Sequence, residues 1–523
     1  MTNQRHMILK QKVEVTVPSS EQAWPLQEQI SKILRTKIKP LIERACDSLS
    51  TPDCLHRIER LELDLGFVDA NNLSKQLPAL FDEAFKRALG KAVAQPDPSG
   101  LPSKVASQWE LFTQFIREGT LPWWADLTKP HQVEDSIDYL LSEAPELIRQ
   151  GLPILALDLR GLRRMIRQLQ DRQLAFLVSL QIPALGEFGW SLFQSMTHSQ
   201  NHIPLLSASQ SSGFRVNVWQ SILQNALLPE LTPADRTDFA RGVLMRLAHL
   251  QGVSYPAVVQ AFSIASGSLQ NQAQAIADDL MHELDAMRHD QTPDNQELHE
   301  FGGKTANQAH RDFQYLEKPS HDLAEQETNQ FARKSSNESH NEFINTTYLP
   351  LDNRENDQEG IILGNAGLVI LWPFIGELFE RLGFAKEKTI VNETARQRAV
   401  ALLHYLCTGN ASIHEYLLPL NKVLCGMELT TVFEHNDPLT QEETNACDSL
   451  ITSVIEQIPI LENMSINGFR GNFIIRTGIL LPGNYGWLLR VERETYDVVL
   501  EHFPWQFDWV KLPWMQSPLQ VEW

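Results

Sequence analysis

The side chains in this chain whose types and spacing could do chemistry are a histidine–cysteine pair and a pair of carboxylates. His404 stands three residues before Cys407 in Leu402–Thr408 (LLHYLCT). A thiolate nucleophile needs a nearby base and a third group to orient that base. Here the surroundings are apolar and no orienting partner is evident, so His404 reads more simply as a core histidine with a satisfied hydrogen bond. His404 and His414 are ten residues apart, without further ligands at metal-site spacing, which argues against a metal centre. Glu62 and Asp64 alternate along Ile58–Phe67 (IERLELDLGF) and would share one strand face, ~7 Å apart. Charge on a wetted strand face explains them without acid–base catalysis. Gly364 and Gly367 (GNAG) are a weak phosphate-loop signal, better read as a cap or close packing. H-E-x-x-H, G-x-S-x-G and G-x-x-x-x-G-K are all absent. The expectation is no catalytic residue, no metal and no cofactor.

The elements that would carry these residues can be read in order. Residues 7–18 (MILKQKVEVTVP) alternate, with Ile8, Lys10, Lys12, Glu14 and Thr16 on one face and Met7, Leu9, Val13, Val15 and Val17 on the other, interrupted by Gln11, predicting a half-buried strand. Pro18-Ser19-Ser20-Glu21 reads as a turn and cap, and Ala23–Leu49 follows with helical spacing through Ile30, Ile33, Leu34, Ile38, Leu41 and Ile42. Ile58–Phe67 predicts a second strand and Asn72–Leu89 a second helix. Residues 1–90 thus read as a strand–helix–strand–helix module. Ala92–Ser103, with three prolines and a glycine, is a linker.

Residues 104–287 read as an array of short helices. They fall at Trp109–Glu118, Val133–Gln150, Leu157–Ser179, Leu185–Met196, Phe214–Leu228, Asp235–Gln251 and Tyr255–Met287. Residues 288–360 are polar and read as a flexible acidic linker, too poor in apolar surface to offset its ordering entropy. The net charge is −20, and Asp278–Glu359 alone holds 19 acidic against 7 basic residues. Excess acid on this scale argues against nucleic acid as partner. Five widely spaced cysteines fit reduced thiols in a cytoplasmic fold, and MTNQRHMILKQKVEV lacks the apolar segment of a signal peptide.

Residues 361–523 read as a helical/β domain with an aromatic tail. Ile361–Phe379 is apolar but holds Asn365, Pro373 and Glu377, which favours a buried core over a membrane span. Helices are predicted at 366–382, 393–408 and 442–461. Phe473–Leu481 and Trp487–Leu500, split by Pro482-Gly483-Asn484-Tyr485-Gly486, predict a β-hairpin. The fold class is α+β and multidomain, mainly α. Trp505, Trp509, Trp514 and Trp523 place four of the chain's twelve tryptophans in nineteen residues. Such a cluster either packs on its own core or docks into a partner subunit, and these four are the candidate partner contacts.

With these segments laid out, the chain resembles the tape measure protein of contractile injection systems, phage-tail-like particles such as the antifeeding prophage and Photorhabdus virulence cassettes. The resemblance rests on His6–Val17, Ile58–Gly66, Gly119–Trp124 (GTLPWW), Asn365–Phe384, Ala399–Gly409, Leu418–Gly426 (LPLNKVLCG), Trp487–Asp497 and Leu512–Trp523. It covers residues 6–90 and 360–523 well, and the middle only at GTLPWW. It implies a structural protein that sets inner-tube length. Its partners would be the inner-tube, baseplate or spike, and cap proteins, together with other copies of itself as a homo-oligomer, without stable membrane insertion. It further implies assembly in the cytoplasm and release with the particle. An assembly chaperone that binds tube or baseplate subunits and then leaves is the alternative. Residues 100–360 as one helix would span ~390 Å at ~1.5 Å per residue, and extended chain about twice that. Proline and glycine breaks argue against one rod in the free protein.

Overall fold

A computed structural model of the chain describes residues 6, 8, 11–17, 23–49, 56, 58, 60–69, 72–93, 103–199, 213–228, 235–269, 272–289, 360–435 and 437–523. The Pro18–Glu21 turn, nearly all of the 288–360 linker and most of the Ala92–Ser103 linker lie outside these residues. The chain divides into two compact units. One comprises residues 1–190, 212–233 and 354–523, the other 191–211 and 234–353.

The first helical stripe forms α1 (Ala23–Ile33) and α2 (Lys39–Leu49), joined by a π-helical turn at Leu34–Ile38. Pro40 accounts for the turn: it has no N–H to give to the carbonyl of Thr36, and its ring crowds that carbonyl. The extra residue this inserts keeps Ile33 and Ile38, five apart, on one buried face. With Ile30, Ile42 and Ala45 they pack on Leu73, Phe81, Phe85 and Leu89 of α3 (Leu73–Val93).

The two strands expected in this module are not formed among the described residues. Residues 11–17 and 60–69 lack strand pairing. Leu61, Leu63 and Leu65 do turn half-buried toward the module's core while Glu62 and Asp64 face water, as the alternation predicts. Val13 and Val15 remain 47% and 52% exposed. Alternation fixes which face is apolar but does not supply a neighbouring strand.

The helical array is as expected in kind but more finely divided. α4 (Ser103–Glu118) is followed by α5 (Gln132–Glu143), α6 (Pro145–Ala156), α7 (Leu159–Gln168), α8 (Asp171–Gln181) and α9 (Gly186–Ser199). Pro145 starts α6, splitting the stretch read as Val133–Gln150. Asp158 caps α7 through the amides of Arg160 and Gly161. α10 (Phe214–Leu227) anchors on this layer, Arg215 and Trp219 Nε1 both reaching Asp171 Oδ1. The second unit holds α11 (Arg236–Gln251), α12 (Tyr255–Leu269) and α13 (Gln274–His289), with Arg241 pairing Glu283.

In the C-terminal region the apolar run becomes three elements: β1 (Ile361–Leu363), a 3-10 turn Ala366–Leu371, and α14 (Trp372–Arg381). Every residue of the 3-10 turn is buried. No helix among the described residues is long and apolar enough to cross a membrane. A short hairpin, β2 (Ala385–Lys386) and β3 (Thr389–Ile390), precedes α15 (Glu393–Thr408). Then come α16 (Pro419–Leu424), α17 (Gln441–Glu456) and the single turn α18 (Ile466–Phe469). The predicted hairpin is β4 (Gly478–Gly483) and β5 (Gly486–Val491). It is shorter than read, because Phe473–Ile474 belong to a π turn and Thr495–His502 form a 3-10 helix. The tail adds β6 (Trp509–Val510) and β7 (Leu519–Glu522). The sheet order is β1-β4-β5-β7-β6, with β5 and β7 parallel and the rest antiparallel. Leu480, Leu489, Val510, Leu519 and Val521 face the helices and complete one core.

Candidate functional site

His404 is buried on α15 and its Nε2 lies 3.1 Å from the carbonyl oxygen of Ser412. Burial pulls its pKa down to about 4, so the ring is neutral at pH 7. It does not meet Cys407, whose buried thiol is pushed up to about 12 and faces the Asn365 amide. A thiol so desolvated is a poor nucleophile. His414 stacks on Tyr416 and meets His131 edge-on at 5.4 Å. Among the described residues no group of three or more His, Cys, Asp or Glu is placed to hold a metal ion. Glu62 pairs with Arg60, and Asp64 Oδ1 accepts from the amide of Gly66. Gly367 serves close packing: a Cβ there would run into the carbonyl of Phe473.

The densest polar feature was not visible in the sequence. Arg164 on α7, Glu415 in the 3-10 turn Glu415–Leu417 and Lys422 on α16 form one buried ion cluster, with side chains 0%, 7% and 2% exposed. Glu415 Oε1 accepts from Arg164 Nε at 3.1 Å and from Lys422 Nζ at 2.7 Å. Arg164 also donates to the carbonyls of Ile116, Arg117 and Thr430, and Lys422 to those of Leu429 and Thr431. Burial pulls the Lys422 pKa down, and Glu415 opposes that. Gly119, the first residue of GTLPWW, closes the cluster. Its φ of +75° ends α4, and a Cβ would lie 2.6 Å from Glu415 Oε1. Beside it Arg163 binds Glu434 at 2.7 Å, and Phe115 meets Tyr416 edge-on. The GTLPWW and LPLNKVLCG segments, some 300 residues apart in sequence, thus meet at a single carboxylate. The reason for the blind spot is plain: partners 251 residues apart leave no local pattern.

The tail aromatics divide into two groups. Trp505, Trp514 and Trp523 are half-buried against the C-terminal core. Each donates its indole N–H within the chain: Trp505 to the Ile370 carbonyl (2.8 Å), Trp514 to the Leu424 carbonyl (2.8 Å) and Trp523 to Asp497 (3.0 Å). Trp514 also stacks on Phe379, and Trp505 meets Phe374 edge-on. Trp509 differs. It lies on the edge strand β6, is 48% exposed, and meets Tyr485, itself 72% exposed, at 6.2 Å.

No curated protein and no solved structure matches the chain. A family model described as contractile injection system tape measure protein matches residues 5–523. That match spans the middle as well as both ends. A buried, neutral histidine and desolvated thiols where catalysis was conceivable accord with a structural role. The chain therefore belongs to the contractile injection system tape measure protein family, whose members determine the length of the inner tube.

Proposed function

We propose that the chain measures the tube by converting a folded, interlocked free form into an extended one during assembly. The observation that carries this is helix length. None of the helices described between residues 103 and 289 exceeds 16 residues, about 24 Å each at ~1.5 Å per residue. A ruler of any useful reach must therefore come from rearranging them, and the Arg164–Glu415–Lys422 cluster is what has to open. In this reading the two ends engage the particle, one at the baseplate or spike and one at the cap, with several copies running in the tube lumen. Assembly takes place in the cytoplasm, and the protein leaves with the particle. Trp509 and Tyr485 are the aromatics through which the C-terminal region contacts a subunit, since Trp505, Trp514 and Trp523 are occupied within the chain. A chaperone that departs after assembly is disfavoured by the family match.

The test is particle length by electron microscopy as residues 235–285 are shortened or duplicated in steps. These residues lie outside the unit that holds the ion cluster, so the fold at the two ends is spared. Length should track residue number, at ~1.5 Å per residue for a helical middle or ~3.3 Å for an extended one. Particles of unchanged length would refute the ruler reading.

A further inference from the structure

α7 carries four arginines, Arg160, Arg163, Arg164 and Arg167, at the spacing that sets side chains on one face of a helix. All four meet residues 415–434. Arg164 is spent in the buried cluster, and Arg160 Nη1 donates to Thr430 Oγ1 at 3.4 Å. Arg163 Nε donates to Glu434 Oε1 at 2.7 Å, and Arg167 Nε lies 4.0 Å from the same oxygen. Charge across this seam does not balance. α7 brings four cations, while residues 415–434 bring three acids, Glu415, Glu428 and Glu434, and one base, Lys422. The seam is left with two positive charges in excess, in a chain whose net charge is −20. The other acids at hand are committed elsewhere: Asp158 caps α7 and Asp171 holds Arg215. Burial pulls the Arg167 pKa down, and there Glu434 opposes burial while Arg163 adds to it.

We propose that Arg160, Arg163 and Arg167 form a binding site for an acidic segment of a partner protein, a site that Glu434 fills in the free chain as a stand-in. Access supports this. The side chain of Arg160 is 57% exposed, that of Arg163 25% and that of Glu434 38%, whereas Arg164 and Glu415 are sealed. An incoming carboxylate thus reaches the guanidinium groups without first breaking the buried cluster. Glu434 grips Arg163 through a single oxygen. A guanidinium holds a carboxylate best through two parallel bonds, so an acidic segment has bonds to gain by taking the place of Glu434. A carboxylate is the group seated here, and a net charge of −20 keeps phosphate polymers away. The partner is therefore an acidic protein segment and not a nucleic acid. Displacing Glu434 frees the outer edge of the interlock from α7, so arrival of the partner begins its opening. This rests on the reading that the interlock opens during assembly.

The experiment is fluorescence anisotropy of a fluorescein-labelled hexaglutamate peptide with the full chain at low salt. The wild type should bind it weakly. Glu434→Gln removes the stand-in and should tighten binding roughly tenfold, the factor by which a site masked about nine-tenths of the time loses apparent affinity. Glu428→Gln takes the same charge from an exposed position of the same segment and should leave binding near that of the wild type. Arg160→Gln or Arg163→Gln, added to Glu434→Gln, should erase the gain. A thermal melt checks that Glu434→Gln is folded. Should it melt early, Arg160→Gln alone, at an exposed residue, must still weaken the wild type's own binding. Glu434→Gln binding no tighter than Glu428→Gln would overturn the proposal. So would a gain that survives both arginine changes, or a short oligothymidine that binds more tightly than hexaglutamate with the same arginine dependence. No particle is needed, so this site and the length measurement can fail separately.

Discussion

Glu415→Gln removes the carboxylate that two buried cations share. Arg164 and Lys422 keep their carbonyl partners, but both charges stay out of water with no anion between them. Removing one member of a buried ion pair costs ~3–5 kcal/mol, a large part of the ~5–15 kcal/mol by which domains are stable. The carbonyls place the expected loss at the lower end, about 3 kcal/mol. The pH dependence is more diagnostic than the size. Burial already lowers the Lys422 pKa, and Glu415 counters it, so the variant should lower it further. With a folded pKa below the unfolded one, the unfolded chain binds more protons between the two, and stability rises with pH through that window. The deficit of Glu415→Gln should therefore be largest near neutral pH and shrink as pH climbs toward the ordinary lysine range. Lys422→Met in the same background should recover part of the loss, since one stranded cation is gone. Urea unfolding followed by tryptophan fluorescence reads all three. A variant within ~0.5 kcal/mol of wild type, or a deficit that grows with pH, would refute the account of the cluster.

Gly119→Ala meets a left-handed φ and the Glu415 carboxylate together, and should cost about 1–3 kcal/mol in the same unfolding assay. His404 is neutral when folded, with a pKa of about 4 against 6.5 unfolded. Acid therefore favours the unfolded chain through that window, and about 2 kcal/mol should vanish between pH 7 and pH 5, less in His404→Gln. Trp509→Ala should change stability by less than ~0.5 kcal/mol, whereas Trp514→Ala, losing its ring stack and the bond to Leu424, should cost about 2–4 kcal/mol. Cys407, Cys425 and Cys447, all buried with raised thiol pKa values, should be alkylated by iodoacetamide only on unfolding, as peptide mapping would show.

Helical spacing made most of this architecture legible. Glu393–Thr408 was read to the residue, because Asn392 caps it and Gly409 ends it with a left-handed φ. Helix breaks were harder. Asp158 and Gln170, which start α7 and α8, looked like ordinary polar positions inside one long stretch. The β-branched run Val498–Val499 suggested a strand, but the Glu494–Asp497 capping box turns it into a 3-10 helix. In the N-terminal module the alternation of Leu61, Leu63 and Leu65 with Glu62 and Asp64 was real, but among the described residues it joins no ladder, since a strand needs a partner that no single segment encodes. The tail tryptophans were visible as a cluster, but only the fold separates the three that bond inward from the one that does not. The ion cluster, built from α7, the 3-10 turn Glu415–Leu417 and α16, was legible only as three unremarkable charges.

Gly360 lies flat on the outer side of β4, where a Cβ would strike Ile479 and Leu481, and it leads directly into β1. Tension drawn along the chain from its middle thus enters the C-terminal region through an edge strand of three residues. The load falls first on the Ile361–Leu480 pairing, then on Ile362–Ile479 and Leu363–Gly478. Behind these stand the Asn365–Asn421 bond and the wholly buried turn Ala366–Leu371. β1 is in this sense a mechanical fuse: it can be stripped from the sheet while β4, β5, β6 and β7 stay paired. A pull strong enough to straighten the middle would meet a graded anchor, yielding at its rim while its core holds.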